Sequence, residues 1–214
     1  MNPVQIFYNS PYFENLQETP PFLDYLAKEE QELRRVISGG KVLDIGCGSG
    51  RSTAILSGVA DEVVGIDFSE RLLGKARERL QGQENARLYL EDAKSTHFDA
   101  DTFDFVVMTW NLFGNLYSTR DKVLEESKRV VKPDGEIFLS VFSENVLPPY
   151  LEMLEQNGLI ADHYDENYVF LREGLVSERF SPDKLERILN KAKLTGKIKS
   201  LTNISYWVEA IKKV

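Results

Sequence analysis

The residues best suited to chemistry stand at the ends of apolar runs. The stretch KVLDIGCGSGRST (41–53) places Asp44 ahead of Gly46, Gly48 and Gly50, with one small thiol, Cys47, between them. Glycine is costly in regular backbone, so three alternate glycines after an apolar run imply that something approaches the main chain closely. A ligand there would also meet the free N–H groups that open the following helix. Asp67 closes the next apolar run, DEVVGID (61–67), and Asp92 follows NARLYLE (85–91). An acid at the second of these positions can accept hydrogen bonds from both hydroxyls of a ribose. At the third, a carboxylate beside a backbone N–H can read an adenine edge. Together the three acids suit a ligand with an amine, a ribose and a base, but no phosphate.

Two phosphate-binding readings fit less well. The dinucleotide pattern G-x-G-x-x-G requires glycine where Arg51 stands, and a P-loop requires Gly-Lys-Ser/Thr, yet no lysine occurs between Lys41 and Lys75.

The elements that must position these acids follow from periodicity. Residues 22–38 carry apolar side chains at helical spacing and are predicted to form a helix ended by Gly39-Gly40. From residue 41, short apolar strands alternate with helices: strands at KVLDIG, DEVVGID, NARLYLED, TFDFVVMTW and EIFLSVF, and helices at 49–59, 69–80 (Ser69 as N-cap) and 120–131. KPDG and LPPY read as turns. This alternation implies a parallel sheet covered on both faces, with ligands beyond the C-terminal strand ends. After Phe142 the rhythm changes. Residues 143–165 read as a loop and short helix, 168–180 as a hairpin turning near Glu173-Gly174, and SPDKLERILNKA as a helix capped by Ser181. The last two strands are too close in sequence for a crossover and must pair antiparallel.

The 214 residues suffice for one domain with a sizeable core, and 42% hydrophobic with 28% charged residues is ordinary for a globular chain. No apolar run reaches the roughly 18 residues of a membrane span, and the N-terminus lacks the pattern of a signal peptide, so a cytoplasmic location is expected. A lone cysteine fits a reducing compartment. The net charge of −8 argues against nucleic acid as a partner, and the basic stretch 184–199 reads as a solvated helix face.

VLDIGCGSG, VVGIDFS, YLEDA, FDFVVMTWNLF and VLEESKRVVKPDGEIFLSVF, in this order and spacing, resemble the class I S-adenosylmethionine-dependent methyltransferases. The match is close over 41–142 and looser over 181–213. The resemblance implies a Rossmann-like three-layer α/β/α sandwich, with a mostly parallel seven-stranded sheet, an antiparallel last strand and a lid insertion. It divides a single domain, 1–214, into an N-terminal lid and helix (1–40), a cofactor-binding core (41–142), a substrate cap (143–180) and a final helix with an antiparallel strand pair (181–214). It also implies S-adenosylmethionine as cofactor and S-adenosylhomocysteine as product. Asp44 would lie near the cofactor's amino group, and Gly46, Cys47, Gly48 and Gly50 would form the loop beside its methionine portion. Asp67 would hold the ribose hydroxyls and Phe68 would pack on the adenine. Asp92 and the Ala93 N–H would read the adenine edge, and Trp110 and Asn111 would face the sulfonium and the acceptor.

The implied reaction is an in-line methyl transfer, in which alignment can supply most of the acceleration and a general base is needed only for weakly acidic acceptors. His163, Tyr8 and Tyr12 are the candidates for such a base, and His97 is a weaker one; Cys47 reads as a small packing residue rather than a nucleophile. Tyr168, Phe170, Arg172 and Arg179 in the 168–180 hairpin are the candidates for acceptor contacts. A small-molecule acceptor leads; a protein side chain, or a cofactor-binding subunit without transfer activity, stays open.

Overall fold

Alternating β-branched runs and amphipathic helices force parallel strands, because each strand must be carried back across the sheet by a helix. The computed structural model describes residues 17–213 and shows this arrangement. Helix α1 (Pro20–Val36) leads into strand β1 (Lys41–Ile45), followed by α2 (Arg51–Ser57), β2 (Glu62–Asp67), α3 (Glu70–Arg79), β3 (Ala86–Leu90) and β4 (Phe103–Met108). A short helix α4 (Leu112–Asn115) and α5 (Arg120–Val130) then lead to β5 (Val131–Phe142). Further along are α6 (Leu147–Gln156), three short strands β6 (Ala161–Tyr164), β7 (Tyr168–Leu171) and β8 (Val176–Glu178), helix α7 (Pro182–Lys191), and strands β9 (Leu194–Thr202) and β10 (Ser205–Lys212).

The main sheet has seven strands in the order β3-β2-β1-β4-β5-β10-β9. Strands β1 to β5 pair in parallel, whereas β10 runs antiparallel to both β5 and β9. The chain therefore winds outward from β1 in both directions. The strand order reverses between β1 and β4, which leaves a crevice at their C-terminal ends.

Strand periodicity decides which side chains fill which layer. Val42, Val63, Val107, Phe138 and Trp207 pack on one face with Leu33 and Ile37, near the end of α1, and with Leu56 of α2. Their chain neighbours Leu43, Val64, Val106, Leu139 and Val208 pack on the other, with Val123 and Leu124 of α5 and Leu185 of α7. Both faces are dry, so the strands read as continuous apolar runs rather than alternating ones.

Several elements differ from the sequence expectation. Helix α2 is shorter than 49–59 because Gly50, at φ +80°, turns left-handed and caps it. LPPY is not a turn but the first turn of α6, where prolines lose no intrahelical hydrogen bond. KPDG is looped out as an irregularity within β5: Phe103 pairs with Val131, while Phe105 pairs with Glu136. The 168–180 hairpin is present, but β6 adds a third strand to it; that strand is largely exposed and so carries no apolar signal.

The 143–180 insertion is fastened to the main body by buried polar contacts. Glu178 of β8, 1% exposed, pairs with Arg120 of α5 and at 2.8 Å with Lys184 of α7, and it accepts from the Tyr168 hydroxyl at 3.2 Å. Asn111, at the end of β4 with φ +54°, donates to the Ser177 hydroxyl at 3.1 Å and accepts the Phe142 N–H at 3.0 Å. Glu178→Gln would leave two cations around a neutral amide. It is expected to cost about 3 kcal/mol, the lower end of the range for a broken buried pair because both cations keep some solvent contact. Urea denaturation at neutral pH checks this, and an unchanged midpoint would show that the cluster contributes nothing.

Candidate functional site

A cavity of about 290 Å³ opens at the crevice predicted by the strand order, beyond the tips of β1, β2 and β4. Its floor is the glycine loop, and the three glycines play different parts. A Cβ on Gly46 would strike Leu112 at 2.6 Å, and one on Gly50 would meet Ala76 of α3 at 3.0 Å. A Cβ on Gly48 would meet no atom within 4 Å, although its φ of +53° disfavours any side chain. Gly46 and Gly50 thus permit packing within the protein. Only Gly48 leaves open space, and that space is the cavity.

Asp67 defines the wall next to it. The carboxylate accepts the Gly48 N–H at 3.0 Å on Oδ2 and the Ser69 N–H at 2.8 Å on Oδ1. Burial raises its pKa, against the lowering effect of those donors and of the Phe68 N–H. Asp44, one strand over, is wholly buried and does not line the cavity. Its Oδ2 accepts from the Ser52 and Thr53 hydroxyls, both at 2.7 Å, while Oδ1 has no partner. Burial pushes this carboxyl up to about 6, against the pull of those two hydroxyls. Burial also lifts the Cys47 thiol well above its usual range, so Cys47 lines the cavity as a neutral group.

Phe68, Ala93 and Trp110 line the cavity as the sequence suggests, but Asp92 and Asn111 do not. After β3 the period-two alternation turns Glu91 and Ala93 inward. Asp92 points the other way, exposed, and pairs with Lys94 at 2.9 Å. Asn111 is spent on tying the 143–180 insertion to β5. No described residue of that insertion lines the cavity. Tyr168 serves Glu178, Phe170 stacks on His163 at 4.3 Å, Arg172 is exposed, and Arg179 is buried with its guanidinium on the Asp165 carbonyl. His163 is exposed and bonded to Asp162. His97 is exposed too, and pairs at 2.5 Å with Glu91 at the cavity edge. Tyr8 and Tyr12 lie outside the described residues.

Sequence reading missed a buried polar node behind the cavity. Glu29 of α1, wholly buried, pairs with Arg51, accepts the Trp110 N–H at 2.8 Å, and is bonded by the Ser140 hydroxyl of β5. Tyr25 donates to Ser140 at 2.8 Å and stacks on Trp110 at 5.3 Å. Burial opposes the charge on Arg51, but Glu29 outweighs it and holds the guanidinium above its ordinary pKa. One signal was available. Glu29 stands four residues from Tyr25 and four from Leu33, in the apolar stripe of α1, where an acid needs a buried partner.

A model of the methyltransferase domain matches residues 42–135, which hold the loop, Asp67 and the first four strands. Residues 42–135 carry a methyltransferase domain. A demethylmenaquinone methyltransferase of Clavibacter sepedonicus is 38% identical over 112 residues, 52% of this chain and 45% of that protein. The chain spans about half the length of the curated relatives it matches. Among solved structures, the PH0226 protein of Pyrococcus horikoshii OT3 is similar at 26% identity, with a TM-score of 0.72 over 99% of this chain and 96% of that one. The DhpI–SAH complex, at 19% identity, shares the fold with a TM-score of 0.74 over 98% and 96% of the two chains.

The buried Asp44 of the methyltransferase domain gives a pH signature. Its carboxyl titrates near 6 when folded and near the ordinary 3.8 when unfolded. Between those values the folded state holds the extra proton, so this group costs stability as pH rises from about 4 to 6. Asp44→Asn keeps an acceptor for the two hydroxyls and is expected to remove that slope, leaving the variant about 2–3 kcal/mol more stable than wild type at pH 7. Glu126, lowered to about 2 chiefly by Arg129, acts in the opposite sense but below this window. Denaturation of both proteins across pH 4–7 checks the expectation, and parallel curves would refute it.

Proposed function

We propose that the chain binds S-adenosylmethionine in this cavity and transfers its methyl group to a small apolar acceptor, leaving S-adenosylhomocysteine. The observation that carries the reading is Asp67 bonded to the N–H of Gly48 beside main chain left bare. The Asp67 carboxylate accepts the backbone N–H groups of Gly48, Ser69 and Phe68 and keeps room for a ribose hydroxyl. Phe68 offers a ring to the base, and Ala93 lies at the same end. The unpartnered Oδ1 of Asp44 suits an ammonium group reached through a bridging water.

When bound, the cofactor supplies an electrophilic methyl group on a positively charged sulfur. The chain's own contribution is then positioning and exclusion of water. Leu26, Trp110, Leu112 and Leu116 give the cavity one apolar side, where an acceptor with an available electron pair needs alignment more than a base. The relatives named for demethylmenaquinone, together with that apolar wall, favour a quinol-type acceptor.

Calorimetry with S-adenosylhomocysteine tests the binding half. Gly48→Ala should fold, at a cost of about 1 kcal/mol for its left-handed backbone. It should weaken binding by roughly 100-fold or more, because the methyl occupies the ligand's space. Wild type giving no binding heat, with Asp67→Ala indistinguishable from it, would refute the proposal. Labelled methyl transfer to a demethylated naphthoquinol tests the acceptor. Label found only in protein bands would redirect the reading to a protein side chain, and binding without turnover to a silent subunit.

A further inference from the structure

Among the described residues, the acids that line the cavity are Asp67, Glu91 and Glu18, and the first two are occupied. Asp67 holds backbone N–H groups, and Glu91 pairs with His97. Glu18 is half-buried and makes no hydrogen bond or ion pair with any described residue. A carboxylate without a donor, in a wall partly removed from water, is suited to take a donor from a ligand.

The segment that carries Glu18 is tied down on both sides. Before it, the Asn157 side chain at the end of α6 accepts the Gln17 N–H at 2.7 Å on Oδ1 and donates from Nδ2 to the Gln17 carbonyl at 2.9 Å. The same Nδ2 donates to the Met153 carbonyl at 2.7 Å, which binds the clamp into its own helix. After it, the Thr19 carbonyl accepts the Phe22 and Leu23 N–H groups and starts α1. Phe22 meets Trp110 edge-on at 5.7 Å and Phe142 at 5.6 Å. Glu18 is therefore anchored to α6, to the segment after β4 and to the end of β5. Strands β4 and β5 lie on one side of β1, while β2, which carries Asp67, lies on the other.

We propose that Glu18 accepts a hydrogen bond from a hydroxyl of the methyl acceptor, and that Asn157 positions it to do so. The assignment deepens the reading given under Proposed function and rests on it. A quinol-type acceptor is apolar except for its hydroxyls. Leu26, Trp110, Leu112 and Leu116 supply a wall for the ring, but an apolar wall leaves a buried hydroxyl unpaired. Glu18 supplies the missing partner on the same lining. It also sets specificity, because a ring without the hydroxyl would strip water from the carboxylate and return nothing. Asn157 does not line the cavity and acts only through the strand of backbone that it clamps.

Two naphthalenes separate this role from that of a solvated acid at the rim. Both 1-naphthol and 1-methoxynaphthalene present the same ring, and only the first can donate. Each is titrated by calorimetry into protein loaded with S-adenosylhomocysteine. Wild type should prefer the naphthol by roughly 10-fold or more, the worth of a hydrogen bond to a charged group. Glu18→Ala should bring the two affinities within about 2-fold of each other, and Glu18→Gln, which keeps a neutral acceptor, should fall between. Both variants should bind S-adenosylhomocysteine within about 3-fold of wild type. Asn157→Ala should shrink the naphthol preference in the same selective way, whereas a purely structural clamp would weaken every ligand alike or none. An unchanged preference in Glu18→Ala, or S-adenosylhomocysteine weakened as much as naphthol, would overturn the assignment. An unchanged preference in Asn157→Ala would strike out its positioning role. Wild type that binds S-adenosylhomocysteine without preferring naphthol would overturn the proposal and leave the cofactor site standing. Wild type that does not bind S-adenosylhomocysteine would remove the functional reading itself, and this assignment with it.

Discussion

The hydrogen bond from the Gly48 N–H to the Asp67 carboxylate is the constraint on which the site depends. It joins the loop after β1 to the tip of β2, the two strands whose register brings Ile45 beside Ile66. A loop with three residues at positive φ has little local reason to hold one shape. Asp67 supplies that reason from outside, and Ser69 fixes the carboxylate in turn. The cost is a carboxylate kept nearly out of water with three backbone donors, a partial compensation for the hydration it lost. A ligand with two hydroxyls would complete the coordination of those oxygens.

Behind the loop, the charges are arranged as a chain of dependence. Glu29 is inaccessible to water and is satisfied by Arg51, Ser140 and the Trp110 N–H. Those partners belong to the loop–helix junction, β5 and the segment after β4, and Glu29 itself to α1. One buried carboxylate therefore sets the relative position of four elements around the cavity. Trp110 and Asn111 follow each other in left-handed backbone, an arrangement that persists only where surroundings over-determine it. Glu29 and the stacked Tyr25 hold the first, and Ser177 and Phe142 hold the second. The insertion thereby stabilises the cavity wall from a distance without lining it.

Much of the fold was legible because it rests on local rules. The order of strands and helices over 41–142 follows from apolar runs and glycine punctuation, and Ser69 and Ser181 were recognisable caps, each accepting a backbone N–H in the first turn. The antiparallel end pair followed from the shortness of its connection. Less legible were features whose signal is tertiary. Strand β6 keeps its side chains largely exposed, so no apolar pattern announces it. LPPY carries turn composition yet starts a helix, since a first turn tolerates proline.

The sequence by itself determined the loop, the tips of the first two strands and the family to which they point, because spacing along the chain fixes which groups arrive at a strand end. It could not determine which of those groups face the cavity. That is a matter of rotational phase and of packing between distant segments. One residue of phase puts Glu91 rather than Asp92 on the inner side, and a contact 66 residues away diverts Asn111. The pairing of Glu29 with Arg51 is likewise tertiary: a helix stripe shows that the acid is buried, but only the docking of α1 against the loop decides what neutralises it.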